Sequence, residues 1–441
     1  MPTPTAFVTP IAGLTAPTIR RLPNGLTIIA EQMPIEAVNL SIWLRVGSAI
    51  ESDAINGMAH FLEHMIFKGT DALQAGEFER LVEERGAVTN AATSQDYTHY
   101  YITTAPKDFA DLAPLQIQLV MNPRLTAEDF ERERPVILEE IRRSEDNPRR
   151  RTFHRSMEMA FDRLPYRRPV LGPATVIEQL KPEQMQDFHR TWYQPRAITA
   201  VAVGNLPVET LIEVVAEAFE QTQSERYAEE FAAISKPAIA QFEPWNRHEP
   251  ESPFDTIRRA EYVDVSLQQA RLIMSWRVPG MADLEGTYAL DVLASILGRG
   301  RTSRLVRDLR EERGLVSSIS ASNMTYGQQG VFYISAQVSE EHLDEVEAAI
   351  AHHIETISKI PVTEAELNRV RTQVANRYIF GSETPSDRAG LYGYYHVLTG
   401  DIGYALNYPA KIQDLSAEQI RTSAQQYLPA TAYGLVTLRP A

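Results

Sequence analysis

Two imidazoles and a carboxylate within five residues, His60-Phe61-Leu62-Glu63-His64, form the stretch of this sequence best suited to chemistry. At about 3.6 residues per turn, positions 60 and 64 lie a turn apart on one helix face, so both rings can reach one metal ion. Zn²⁺ suits two imidazoles and a carboxylate oxygen, with a fourth position left open. Glu63 follows His60 by three residues and lies on nearly the same face. It is placed to take a proton from water rather than to bind the metal. The pattern is H-x-x-E-H, the reverse of H-E-x-x-H. With ten histidines and 58 acidic residues in 441, a chance run of this form is expected in about 3 of 100 such chains, so context must support it. The flanks Gly57-Met58-Ala59 and Met65-Ile66-Phe67 are apolar. They argue for a buried face, where a Glu–His pair without a purpose costs stability.

The whole chain sets the bounds. A length of 441 residues predicts two or three domains with large cores. Hydrophobic content of 44% and charged content of 23% are ordinary for a globular protein. The absence of cysteine rules out disulfides and thiolate ligands, leaving His and carboxylate to hold any metal. A net charge of −15 argues against general nucleic-acid binding. No apolar run reaches the roughly 18 residues of a membrane span. The start, Met1-Pro-Thr-Pro-Thr-Ala-Phe-Val-Thr-Pro10, has neither a basic region nor an unbroken apolar stretch. It does not read as a signal peptide, and the expected location is the cytoplasm.

The elements that must position the histidines can be read in order. Residues 1–17 are proline-rich and read as an irregular arm. Asn24-Gly25 is a hairpin turn between short strands, and 38–46 alternates as a strand. Asn56-Gly57 precedes the metal-site helix, and Lys68-Gly69-Thr70 closes it. A helix is predicted at 76–85, then strands at 87–93 and 97–103 as a hairpin, then a helix at 108–120. Thr126 caps a charged helix to Arg143, with Pro135 expected to kink it. Asn147-Pro148-Arg149-Arg150-Arg151 reads as a basic exposed loop. Helices at 152–162, 182–192 and 208–220 and a buried strand at 197–204 complete the first half.

The second half repeats the first. Glu84-Arg-Gly-Ala-Val-Thr89 recurs as Glu312-Arg-Gly-Leu-Val-Ser317. Each copy follows a helix and precedes two strands and another helix. The copy lacks the metal motif, since Tyr288 to Ile296 reads as an ordinary apolar helix. The predicted fold is α+β: two duplicated domains, each a mostly antiparallel sheet with helices packed on one face. The expected boundaries are 1–225 for the domain bearing the metal site, 226–255 for a linker and 256–441 for the homologous domain without it.

A catalytic zinc needs a third protein ligand, and the acidic helix near 127–143 is the best supplier. Spacing alone leaves Glu131, Glu133, Glu139 and Glu140 open. His60-Phe-Leu-Glu-His-Met-Ile-Phe-Lys-Gly-Thr70 together with Glu131-Arg-Glu-Arg-Pro-Val-Ile-Leu-Glu-Glu140 resembles the pitrilysin family of inverzincin zinc peptidases. Insulin-degrading enzyme and the mitochondrial processing peptidases are members. The resemblance implies Glu140 as third ligand, one zinc per chain, and Glu133 as the residue that orients a ligand. It implies that the edge strand at Asn90, Ala91 and Ala92 receives an extended substrate as an added strand. It implies that Arg388 and Tyr395, with Tyr392 and Tyr394 close by, help hold the substrate and polarise its scissile carbonyl. Family members of this length work as clamshell dimers. This chain carries both sets of motifs, which favours a homodimer over a heterodimer with a related subunit. Processing peptidases read an arginine with acidic residues shortly after the ligand helix. Here Pro148 to Arg155 is basic, so presequence processing is not expected.

The expectation is therefore a zinc metallopeptidase acting on unfolded peptides, with Glu63 as general base. The alternative is a non-catalytic or partner-dependent assembly subunit of the same fold, against which the complete His60/Glu63/His64/Glu140 set argues. Gly298-Arg-Gly-Arg-Thr-Ser303 loosely resembles a phosphate loop but lacks Gly-Lys-[Ser/Thr], and reads as a connection between helices.

Overall fold

Alternating apolar residues in the strands of each half assemble into one sheet per half. The computed structural model describes residues 16–222 and 249–441. Most of the expected linker and N-terminal arm lies outside the described residues. The first sheet has six strands: β1 Thr18–Arg21, β2 Thr27–Gln32, β3 Val38–Leu44, β4 Val88–Thr93, β5 Thr98–Thr104 and β6 Ile198–Gly204. Their order is β1-β2-β6-β3-β5-β4, and β2–β6 is the one parallel pair. The second sheet has five: β7 Arg258–Val263, β8 Ala270–Pro279, β9 Val316–Met324, β10 Gln329–Val338 and β11 Gly434–Arg439. Its order is β7-β11-β8-β10-β9, and β7–β11 is again the parallel pair.

The two orders superimpose strand for strand once β1 is set aside, which is the duplication expressed as topology. The repeated Glu-Arg-Gly carries it to the backbone. Gly86 and Gly314 take nearly the same left-handed φ, 62° and 64°. Each ends a helical segment and starts the edge strand of its sheet.

The helices of the first half are α1 Met58–Ile66, α2 Glu77–Glu84, α3 Phe109–Met121, α4 Ala127–Asp146, α5 Pro148–Ala160, the short α6 Ala174–Ile177, α7 Pro182–Trp192 and α8 Val208–Thr222. Helix α4 runs for 20 residues with Pro135 inside it. One sequence expectation changes here. The stretch expected to be a basic loop is the first turn of α5. Asn147 caps it, its side chain accepting from the Arg149 and Arg150 N–H groups, and Pro148 sits at the first helical position. Asn before Pro is a helix start, and the three arginines hid it.

The chain divides into two units that are not consecutive in sequence. Unit 1 comprises Met1–Ile141, Pro169–Pro244 and Tyr378–Tyr408, and unit 2 comprises Arg142–Arg168, Trp245–Arg377 and Pro409–Ala441. The expected division into 1–225 and 256–441 thus gives way to an exchange of helices. Unit 1 takes helix Pro385–Thr399 from the second half. Trp43 on β3 fills the space beside Gly393, where a Cβ would come within 2.1 Å of the indole, and Thr199 on β6 bonds His396 at 2.8 Å. Unit 2 takes α5 from the first half. The Phe153 ring lies 5.6 Å from that of Tyr333, and Arg277 on β8 donates to the Ala160 carbonyl at the end of α5. With a helix on each face, β3 and β6 are buried along their whole length.

Candidate metal centre

Helix α1 carries the site, and its start is unusual. Its N-cap is Gly57, at φ +99°, where a Cβ would lie 2.6 Å from the Leu171 carbonyl oxygen. No side chain can cap from that position. Glu51 does so from six residues upstream. Its buried carboxylate accepts from Gly57 N at 2.9 Å, Ala59 N at 2.7 Å and Asn56 Nδ2 at 2.9 Å. A carboxylate on these N–H groups also complements the positive end of the helix. Met58, Phe61, Leu62 and Met65 enter the core of unit 1, with Phe61 stacked on Phe130 of α4 at 4.4 Å. That packing sets α1 against α4 and so brings the histidines to Glu140.

His60 Nε2 lies 3.5 Å from Glu140 Oε2, and His64 Nε2 lies 3.6 Å from the same oxygen. The ligand atoms of His60, His64 and Glu140 all fall within 4.8 Å of one another. Metal bonds of about 2.1 Å at tetrahedral angles put ligand atoms about 3.4 Å apart, so two of the three edges already match one shared ion. Of the four glutamates that spacing left open, Glu140 joins the pair of histidines.

Glu133 lies two helical turns before Glu140. Its Oε1 is 3.0 Å from His64 Nδ1, and its Oε2 accepts from Lys68 Nζ at 2.6 Å. Burial works against its charge, but the bonds from Lys68 and His64 prevail and hold its pKa below the ordinary carboxylate value. An ionised carboxylate only accepts, so His64 carries its proton on Nδ1 and offers Nε2 to the cluster. Burial, and secondarily the neighbouring His64, lowers His60 to about 4 against the opposing pull of Glu140. At neutral pH its ring is neutral, the form that binds metal. Burial also pulls His64 down, but the bonds to Glu140 and Glu133 outweigh it and raise its pKa in the metal-free cluster.

Glu63 reaches toward β4 while staying close enough to the cluster to feel the charges of His64 and Glu140. Burial lifts its pKa above the ordinary value, and bonds from Thr93 and the charge of His64 oppose the rise. A carboxylate raised in this way is a better proton acceptor near neutral pH. Thr93 Oγ1 donates to Glu63 Oε2 at 2.5 Å.

Strand β4 is one of the two edges of the first sheet, paired with β5 alone among the described strands. Asn90 and Ala92 are exposed on one face, and Thr89, Ala91 and Thr93 are half-buried on the face toward α1. The Asn90 side-chain oxygen accepts from Ala91 N at 2.9 Å, capping an edge N–H that would otherwise be open to pairing.

Arg388, expected to help hold the substrate, is paired within this chain. It is buried in unit 1, donating from Nη1 to Glu31 Oε1 at 2.6 Å and from Nε and Nη2 to the Ser382 carbonyl at 3.1 and 2.8 Å. The other oxygen of Glu31 takes the Tyr392 hydroxyl at 2.8 Å. Leaving this pair would strand the buried Glu31 charge. Tyr395 is half-buried, with its ring 5.4 Å from that of Tyr394.

Sequence reasoning missed three supporting residues. Lys68 could have been found, since it falls four after His64 on the same helical spacing. Thr93 was visible as a strand residue, but its reach to Glu63 depends on how α1 lies on the sheet. Nothing in the sequence marked Glu51.

Two family models match consecutive parts of the chain. Residues 26–174 match the insulinase model, peptidase family M16, and residues 179–374 match the M16 inactive domain. The first match holds all of the His60/His64/Glu140 cluster, and the second holds none of it. Among relatives, an uncharacterized zinc protease of Mycobacterium tuberculosis is 28% identical over 98% of this chain and 94% of that protein. The zinc protease PqqE of Helicobacter pylori is 27% identical over 95% of this chain and 92% of that protein. A crystal structure of a protease from Helicobacter pylori matches with a TM-score of 0.87 at 26% identity, covering 96% of this chain and 99% of that one. The M16 inactive domain protein of Pseudomonas fluorescens shares the fold with a TM-score of 0.83 at 19% identity. Both halves of the duplicated fold are thus matched in order by the two M16 domain models, and the chain belongs to the pitrilysin (M16) peptidase family.

Proposed function

We propose that this chain is a zinc metallopeptidase that cleaves unfolded peptides, with His60, His64 and Glu140 holding one zinc ion per chain. The observation that carries the reading is the convergence of those three ligand atoms within 4.8 Å, beside a half-buried glutamate with a raised pKa. When bound there, zinc supplies Lewis-acid polarisation of a carbonyl oxygen and makes water acidic near neutral pH. Glu133 fixes the His64 ring with Nε2 facing the cluster. Glu63 takes a proton from the attacking water and returns it to the amine nitrogen as the C–N bond breaks. The β4 edge at Asn90, Ala91 and Ala92 receives the substrate through main-chain hydrogen bonds, which demands an extended, unfolded segment. Asn90 must release the Ala91 N–H as the substrate arrives.

Among the described residues, the half matched by the inactive-domain model holds no metal-ligand cluster, and its part is to shape the substrate site. The working form is a dimer, with a second copy of this chain as partner. The test is cleavage of a quenched fluorescent peptide mixture by the purified chain, with chelator and zinc add-back, beside Glu63→Gln. Chelator-sensitive cleavage that zinc restores, and that the variant loses while keeping its zinc, is the expected result. A zinc-loaded wild-type chain that cleaves nothing would favour the non-catalytic or partner-dependent assembly role instead.

A further inference from the structure

We propose that Thr93 is the positioning residue for the general base, tying Glu63 to the strand that receives the substrate. The proposal rests on the reading of Glu63 given above. A glutamate has three side-chain torsions, and a base must be held within about 0.5 Å of its working position. Nothing on α1 itself holds the Glu63 carboxylate. Thr93 does so through its hydroxyl, 2.5 Å from Glu63 Oε2.

The direction of the hydroxyl proton follows from its neighbours. Thr98 Oγ1 is 3.4 Å from Thr93 Oγ1, but it donates to the Val46 carbonyl at 2.8 Å. The nearer acceptor takes the Thr98 proton, which leaves the Thr93 proton for the Glu63 carboxylate. One carboxylate oxygen is then held, and the other remains to accept a proton. Behind this pair, the buried hydroxyls of Tyr100 and Tyr193 bond each other at 3.0 Å. Their burial raises both phenols, so they stay neutral and add no charge beside the base.

Thr93 is also the last residue of β4, on the face toward α1. A peptide added to that edge is therefore registered by the same strand that fixes the base. Substrate position and base position share one rigid element, and misplacement by about 1 Å costs on the order of a hundredfold in rate.

The experiment compares Thr93→Val, Thr93→Ser and Glu63→Gln in the full chain. It reads kcat, KM, bound zinc per chain and thermal unfolding. Valine keeps the shape and favours the strand, so the fold is expected to persist. Thr93→Val should lower kcat by about ten- to a hundredfold with KM within about twofold and zinc content unchanged. Thr93→Ser, which keeps the hydroxyl, should restore kcat to within about threefold of wild type. Wild-type kcat in Thr93→Val, equal losses in the valine and serine variants, or a loss confined to KM would each overturn the proposal. An active Glu63→Gln would instead remove the base reading, and the role of Thr93 with it. Inactive Glu63→Gln beside fully active Thr93→Val would leave the base in place and refute only its positioning.

Discussion

Removing the Glu51 carboxylate should unfasten the metal-site helix, although Glu51 lies outside the H-x-x-E-H motif. In Glu51→Ala, the N–H groups of Gly57 and Ala59 lose their acceptor in a buried setting, while the Asn56 amide loses one of two and keeps the Pro169 carbonyl. Each stranded donor costs about 1–3 kcal/mol, partly relieved where water enters the space left behind. The lost charge at the helix N-terminus adds about 0.3–2 kcal/mol. The two stranded N–H groups and the lost charge sum to roughly 2–8 kcal/mol, against a total of about 5–15 kcal/mol for a typical domain. Glu51→Gln keeps one acceptor oxygen but turns an amide NH₂ toward the donors, and should cost roughly 2–4 kcal/mol by the same reasoning. The assay is urea unfolding of the metal-free protein, followed by zinc affinity against a competing chelator. His60 stands in the first turn of α1, so fraying there should weaken zinc binding in proportion. A Glu51→Gln protein within 0.5 kcal/mol of wild type (about the noise of such a measurement) and with unchanged zinc affinity would refute the capping argument.

Two further outcomes follow from unit 1. Arg388→Met should destabilise the protein by about 3–5 kcal/mol by stranding Glu31, yet leave kcat per folded, zinc-loaded chain close to wild type. A selective fall in kcat without a fall in unfolding midpoint would return Arg388 to the substrate. Unit 1 should also be acid-labile. Burial holds His99 and His189 to about 4, and burial together with the charges of Arg21 and Arg45, against that of Asp401, does the same for His396. The unfolded chain takes up these protons first, near its ordinary histidine pKa. Stability is therefore full above about pH 6.5, falls between there and about 4, and levels off below. Three such groups amount to roughly 4 kcal/mol per pH unit, enough to bring unfolding near pH 5. Hydrogen exchange in β6 between pH 7 and 5 reads this directly, and a flat profile would contradict it.

The periodic parts of the fold were legible because their cause is local. The alternation of β3, the turn at Asn24-Gly25, and the helix opened by Asn56-Gly57 each follow from neighbours a few residues apart. Duplication was legible from one hexapeptide, because a left-handed glycine between helix and strand leaves the same mark in both halves. Asn147-Pro148 shows the failure mode, in which charge was weighed above a capping signal.

The sequence by itself determined that two imidazoles and a carboxylate share one helix face, and that only one half of the duplication bears them. The helix period alone ensures the first, whatever the rest of the chain does. Tertiary structure decided the rest. It chose Glu140 among four glutamates and set Glu51 on the helix start. It aimed Thr93 at Glu63, turned Arg388 inward to Glu31, and exchanged helices between the units. Each of these is a meeting of residues far apart in sequence, set by how buried faces pack. No local pattern records which distant partner such a face will meet.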